Sequence, residues 1–210
     1  MGGVPLEPTD LDHRLRAAET IVREAGRVAA DHFARRELLS IDRKGVQDLV
    51  SDADRSCEDF IVAGLSRLFP EDGFLGEERG SRNPKAAAIW VVDPDRRYAQ
   101  FSDRNSGLVR LLGPGRRRRA GSRDHRHPIA GELYSARRAG GAFLNGQPIK
   151  VSGATDLTRA RICVGFSYRR PVAEHVRAVG SLLSASCEYL RVGSGALGLA
   201  YTAAGRFDGY

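Results

Sequence analysis

Apolar residues at Leu11, Leu15, Ala18, Val22, Ala25, Ala29 and Phe33 recur at steps of three and four with Arg and Glu between them. That spacing predicts an amphipathic helix over 10–36. Residues 38–43 suit a short strand. Ser51 is placed to cap a second helix reaching to about Phe69. Asp52 and Asp54 fall in its first turn, where the helix dipole favours carboxylates. Cys57, Ile61, Leu65 and Leu68 form its expected inner face. Pro70, Asp72 and Gly73 spell a turn. Residues 86–92 are a compact apolar run ending at Asp93-Pro94, the pattern of a buried strand. Further along, 131–136 alternates as a strand does, and Gly140-Gly141 and Asn145-Gly146 mark turns around Ala142-Phe143-Leu144. Strands over 161–166 and 188–192 flank a helix over 172–183. Gly193-Ser194-Gly195 precedes a last helix to about Ala204.

Between 95 and 127 the pattern collapses: no helical or strand period is present, and Arg116 to Arg119 is a run of four arginines. Residues 96–127 hold ten arginines against Asp103 and Asp124, a local balance of +8 out of a total of +7, which leaves −1 for the rest of the chain. The basicity therefore belongs to one segment and not to the domain. As a loop wrapping nucleic acid, this segment offers only Tyr98 and Phe101 for stacking, both outside the arginine run. A solvated loop is the plainer reading, and nucleic acid is not expected as a partner.

The chain has 210 residues, 41% hydrophobic and 28% charged, the composition of a globular protein large enough to bury a core without disulfides. Its apolar runs fall far short of the ~20 residues of a membrane span. The N-terminus lacks the basic-then-apolar order of a signal peptide. Cys57, Cys163 and Cys187 are odd in number and without metal spacing, which suggests buried thiols in a cytoplasmic protein with no membrane partner.

Two carboxylates are placed for chemistry. Glu77 follows an apolar stretch, and Asp93 ends the strongest apolar strand; carboxylates at strand ends can meet above a sheet edge, where hard cations find oxygen ligands. Asp54, at a helix start, could approach the same spot. Each has a plainer explanation: a dipole or capping residue for Asp54, a solvated turn for Glu77-Glu78, a strand terminator for Asp93-Pro94.

Several separated motifs add weight. Lys44-Gly45, Asp48 to Asp54, Phe69 to Gly73, Gly76-Glu77-Glu78 and Trp90 to Pro94 stand in the order seen in the inositol monophosphatase family. So do Gly141 to Gly146, Val192 to Ala196 and Ala204 to Tyr210. The chain resembles that family over about 10–94 and 128–210. The resemblance implies a layered α-β-α-β-α sandwich of the inositol monophosphatase and fructose-1,6-bisphosphatase type, incomplete at the C-terminus. It would be a single domain with an N-terminal part (1–135), a C-terminal α/β part (136–210) and an aberrant Arg-rich segment over 95–127. It also implies a Mg2+-dependent phosphatase acting on a small phosphorylated metabolite, of the inositol-1-phosphate or histidinol-phosphate class, and a homodimer. Residue by residue, Glu77 and Asp93 match metal ligands, Asp54 matches the carboxylate that orients the attacking water, and Lys44 matches a nearby basic residue. Gly193, Ser194 and Gly195 match a substrate-side loop.

At residue 93 the family reads D-P-I-D-G-T, followed by N-F. This chain reads Asp93-Pro94-Asp95-Arg96-Arg97-Tyr98-Ala99-Gln100-Phe101, with Arg96 in the place of the second aspartate. Written as codons from Asp95, the segment is GAY CGN CGN TAY GCN CAR TTY. Read one base later, it gives AYC, GNC, GNT, AYG, CNC, ART and TY-something, which allow Ile, Asp, Gly, Thr, His, Asn and Phe in order. Continuing through Asn105 to Pro114, the shifted triplets permit G-I-P, then W-S-V, then an alternating apolar stretch. Each triplet allows only a few residues, so chance agreement over the whole run is slight, and an off-frame GC-rich gene yields many arginine codons. The expectation is a base gained near codon 95 and compensated near codon 126. The family's later W-D motif lies beyond Tyr210. An impaired enzyme is thus expected, with a non-catalytic remnant as the alternative and a nucleic-acid binder a distant third.

Overall fold

The computed structural model describes residues 7–34, 41–45, 48–76, 80–95, 106–112, 120–127, 131–137, 139–167 and 170–210. The chain divides after Gln147 into two compact units, 1–147 and 148–210. The division falls later than residue 135 because the hairpin following that point extends the first unit's sheet.

In the first unit, helix α1 (Pro8–Ala34) is followed by hairpin strands β1 (Ile41–Gly45) and β2 (Asp48–Ser51). The chain then enters α2 (Asp52–Leu68) directly. Strands β3 (Gly73–Gly76), β4 (Gly80–Arg82), β5 (Ile89–Asp95), β6 (Ser106–Leu112), β7 (Ala120–His127), β8 (Glu132–Arg137), β9 (Gly141–Leu144) and β10 (Gln147–Pro148) form one sheet in the order β10-β9-β8-β7-β6-β5-β3-β4. The β3–β5 pair is parallel, and β5 through β9 pair antiparallel in succession.

Both helices form where the 3.6-residue apolar period places them. Ala18, Ile21, Val22 and Ala25 of α1 pack with Ile61 and Leu65 of α2, with Phe69, and with Phe74, Trp90, Val92 and Leu133 of the sheet. Fully burying one such aliphatic or aromatic side chain is worth about 1.5–3 kcal/mol. Leu68 departs from the expected inner face and is 51% exposed. The chain turns at the end of α2 and buries Phe69 instead, its ring 5.9 Å from that of Trp90 and 5.4 Å from His13. The inner face of α2 also holds a residue that the apolar pattern missed, the fully buried Glu58.

The segment expected to be patternless carries β6 and β7 in the middle of the sheet. The reason lies in the backbone. Without these strands β5 and β8 would each present an unpaired row of N–H and C=O groups inside the sheet, and any sequence without proline can supply the missing bonds. Side-chain period is a separate matter. The register aligns Trp90 with Leu111 and Ser122, and Val92 with Val109 and Asp124; Arg126 aligns with the buried Leu133. Cross-strand partners share a face. Ser122, Asp124 and Arg126 are thus in register with core residues of the neighbouring strands, at alternate positions that do not carry the apolar residues of a period-2 strand.

The β9–β10 turn follows its sequence signal. Asn145 and Gly146 take φ of +50° and +80°, the left-handed pair that a tight hairpin requires. The Asn145 carboxamide fixes the next strand over, accepting from the Leu133 N–H at 2.9 Å and donating to the Gly131 carbonyl at 3.2 Å.

The second unit contains a 3-10 turn at Leu157–Arg159, parallel strands β11 (Arg161–Cys163) and β12 (Glu188–Leu190), and helices α3 (Val172–Ser184) and α4 (Gly195–Ala203). Asp156 caps the 3-10 turn, accepting from the Thr158 N–H and hydroxyl, both at 2.9 Å. Gly209 bridges to Ile162 beside β11. Asp208 anchors this return: its carboxylate accepts the Arg161 N–H at 2.7 Å and its own N–H donates to the Arg161 carbonyl at 2.9 Å. That backbone bond, then a hydrogen bond from the Ser152 side chain, hold the Asp208 carboxyl below its usual range. A lowered folded-state pKa contributes stability that is present above the ordinary carboxyl pKa and lost as pH falls through the lowered one. Asp208→Asn should therefore flatten the acid limb of a melting-temperature profile below about pH 4 and leave its neutral shape unchanged; thermal melts across pH 2–7 check this.

All three cysteines are buried and free. Burial pushes the Cys163 thiol up, away from a reactive thiolate. Among the described residues no helix is long and apolar enough to cross a membrane.

Candidate metal and phosphate site

The carboxyl ends of two adjacent parallel strands define the site. In the β3–β5 pairing Phe74 aligns with Trp90, Leu75 with Val91 and Gly76 with Val92. Asp93 is the next residue of β5, and Glu77 is the residue bonded to Gly76. Glu77 lies outside the described residues, but covalent geometry bounds its position. Its Cα is about 3.8 Å from that of Gly76, and adjacent strands lie about 4.8 Å apart. Asp93 still lies within β5, paired with Leu108, two residues before the strand ends. Carboxylate oxygens are the donors that suit a hard cation such as Mg2+. Among the described residues no group of three or more His, Cys, Asp or Glu gathers to hold a metal ion. Glu77 and the side chains of Asp54 and Asp93 lie outside that description.

Strand β5 is held rigidly on the approach to Asp93. The Trp90 indole N–H donates to Asp72 Oδ2 at 2.9 Å. Arg14 of α1 grips the same carboxylate with two donors, Nε and Nη2, both at 3.0 Å. The Arg14 guanidinium also lies 4.7 Å from the centre of the Phe69 ring. Its neighbours Pro70 and Gly73 mark Asp72 as a turn residue; in the structure it is 5% exposed and joins α1, the β3 entry and β5.

The two remaining candidates of the first unit come from consecutive elements. The β1–β2 register slips between Arg43 and Gly45, which makes Lys44 the extra residue of a bulge. Bulges re-aim a side chain at a strand end. Asp54 is the third residue of α2, which follows β2 without a break. One turn further along α2 stands Glu58, 0% exposed. A Cβ built on Gly76 would run into its Oε1 and Cδ. The α2 turn that carries Asp54 is thereby tied to the exit of β3 that carries Glu77. Glu58 had no signal in the apolar pattern, because a Glu among Ser56, Cys57 and Asp59 reads as a solvated position.

Gly193, Ser194 and Gly195 belong to the second unit. Gly193 turns with φ of +80°, and Ser194 is the N-cap of α4, its Oγ accepting from the Leu197 N–H at 3.1 Å. Gly195 is the first residue of the helix. Ser194 thus has a structural duty at the cap, and the first-turn N–H groups of α4 are of the type that receives anions.

Comparison with known proteins adds the following. The model of the inositol monophosphatase family matches residues 10–94 and 126–210, leaving out 95–125. Nus factor SuhB of Xylella fastidiosa is 35% identical over 193 residues, 90% of this chain and 69% of that protein. The inositol-1-monophosphatase of Mesorhizobium japonicum is 33% identical over 190 residues, 89% of this chain and 71% of that one. Among solved structures, the extragenic suppressor protein suhB of Bartonella henselae superposes with a TM-score of 0.85 at 27% identity, over 91% of this chain and 75% of its own. The inositol monophosphatase of Anabaena superposes at 0.77 with 26% identity, over 94% and 73%.

Proposed function

Since the chain belongs to the inositol monophosphatase family, we propose that its gene encodes a Mg2+-dependent phosphomonoesterase for a small polyol or amino-alcohol phosphate, and that this 210-residue reading of it is catalytically impaired. The observation that supports the proposal is the parallel β3–β5 register, in which Gly76, the residue before Glu77, aligns with Val92, the residue before Asp93. Glu77 and Asp93 would hold the cation. A Mg2+ held there would lower the pKa of a bound water and neutralise charge on the phosphoryl and leaving oxygens. Asp54 would help orient the attacking water. Lys44 sets a positive charge near the ester. The N–H groups at the start of α4, after Gly193 and Ser194, receive an anionic oxygen.

Impairment follows from what stands at 96–126. The position of the second aspartate holds Arg96. Asp95 sits one residue early, and on a strand a slip of one reverses side-chain direction. Asp124 and Arg126 stand in β7 in register with Ser135 and Leu133 of β8, at positions where the family resemblance leads one to expect an apolar strand. The family model leaves out nearly the same stretch, 95–125, that the codon argument marks as off frame. These observations together support a shifted frame. The relatives named Nus factor favour a second reading, a non-catalytic role for the fold. A second copy of the chain is the expected partner.

The test compares two proteins: this chain, and the gene's product read in the neighbouring frame over codons 95–126 and carrying the family's W-D motif. The first should release no phosphate from inositol-1-phosphate or histidinol phosphate at millimolar Mg2+. The second should do so in a Mg2+-dependent way. A folded in-frame chain without activity on any small phosphomonoester would favour the non-catalytic reading, and activity in the chain as it stands would overturn the impairment.

A further inference from the structure

We propose that Glu58 is a positioning residue for the cation site, a buried carboxylate that sets how β3 ends and so how Glu77 is presented. The proposal rests on the metal-site reading above and adds to it a residue that does not itself touch the ion.

Three observations converge. Glu58 is 0% exposed and among the largest fully buried side chains of the chain. An apolar side chain would pack that site on the inner face of α2 without cost, as Ile61 and Leu65 do one and two turns later; burying a carboxylate instead demands compensation. Its carboxylate lies against the α-carbon of Gly76, so close that any side chain there would strike Oε1 and Cδ. Glycine at 76 is thus explained by close approach, and the approaching group is polar. Finally, the contact joins two candidates. Glu58 stands four residues after Asp54, on the same face of α2, and Gly76 immediately precedes Glu77. One side chain spans the two elements, one helical turn after Asp54 and at the residue before Glu77. Groups that orient metal-binding residues from behind typically cost 10–100-fold in metal affinity when removed.

The readout uses Trp90, the one tryptophan of the chain, buried on β5 three residues, or about 10 Å of strand, before Asp93. Terbium is a hard, oxygen-seeking cation, and its emission on excitation of Trp90 reports an ion bound near that strand's end. Glu58→Gln keeps the shape and removes the charge; Glu58→Leu removes all polarity and leaves a side chain suited to a buried site. Thermal melts run alongside. We expect either variant to melt within a few degrees of the unmodified chain, while the terbium concentration for half-saturation rises roughly tenfold or more. An unchanged half-saturation in either folded variant overturns the proposal. Unfolding of both variants overturns it too, since Glu58 would then serve the fold alone. Absence of Trp90-sensitised emission from the unmodified chain would instead remove the cation-site reading itself, an outcome distinct from binding that ignores Glu58.

Discussion

Asp72→Ala is expected to destabilise the first unit by about 3–5 kcal/mol, the cost of leaving one partner of a buried ion pair uncompensated. Its carboxylate is 5% exposed and accepts three bonds, two from Arg14 and one from the Trp90 indole. Removing it leaves the Arg14 guanidinium, itself only 14% exposed, with the longer 3.8 Å pair to the exposed Asp10, and orphans an indole N–H inside the core. For a chain of this length that corresponds to a fall in melting temperature on the order of 10 °C. Asp72→Asn should fall between, since an amide oxygen can still accept from Trp90 while the charge is lost. The comparison separates the indole bond from the ion pair. Near-equal melting of Asp72→Ala and the unmodified chain would mean that α1 is not tied to β5 through this carboxylate.

The second large effect concerns chemistry and is read in the in-frame chain. Glu77→Gln should lower phosphate release by about a thousandfold or more at fixed Mg2+, since a cation on the phosphoryl oxygens is worth several kcal/mol in the transition state. Raising Mg2+ should recover part of that loss, because the substitution weakens binding of the ion before it touches the substrate. A loss that no Mg2+ concentration recovers would argue that Glu77 acts on the substrate directly.

The elements were largely legible because each obeyed its own period. The α1 and α2 stripes, the apolar run of β5 and the Asn145-Gly146 turn are local signals, and the structure follows them within a few residues. What was not legible depends on which elements meet. Asp72 beside Pro70 and Gly73 has the composition of a turn, and only the approach of Arg14 and Trp90 makes it an anchor. Glu58 among polar neighbours has the look of a solvated residue, and only the proximity of Gly76 gives it a duty. Leu68 and Phe69 exchanged places because the helix ended between them. The 95–127 stretch is the reverse case. Its side-chain pattern announced no strand, yet the backbone between β5 and β8 is filled by two strands. The Glu77–Asp93 pairing lies between these extremes. The sequence expects both carboxylates at strand ends; β5 runs two residues past Asp93, and the parallel register aligns Gly76 with Val92, the residues before the two carboxylates.

Crystals of the chain grown with Mn2+, with data collected for the anomalous signal of manganese, test that pairing most directly. We expect a peak at the carboxyl edge of β3 and β5, with oxygens of both Glu77 and Asp93 about 2.0–2.2 Å from one ion or from two neighbouring ions. A map without that peak, with the two carboxylates directed to opposite faces of the sheet, would contradict the account.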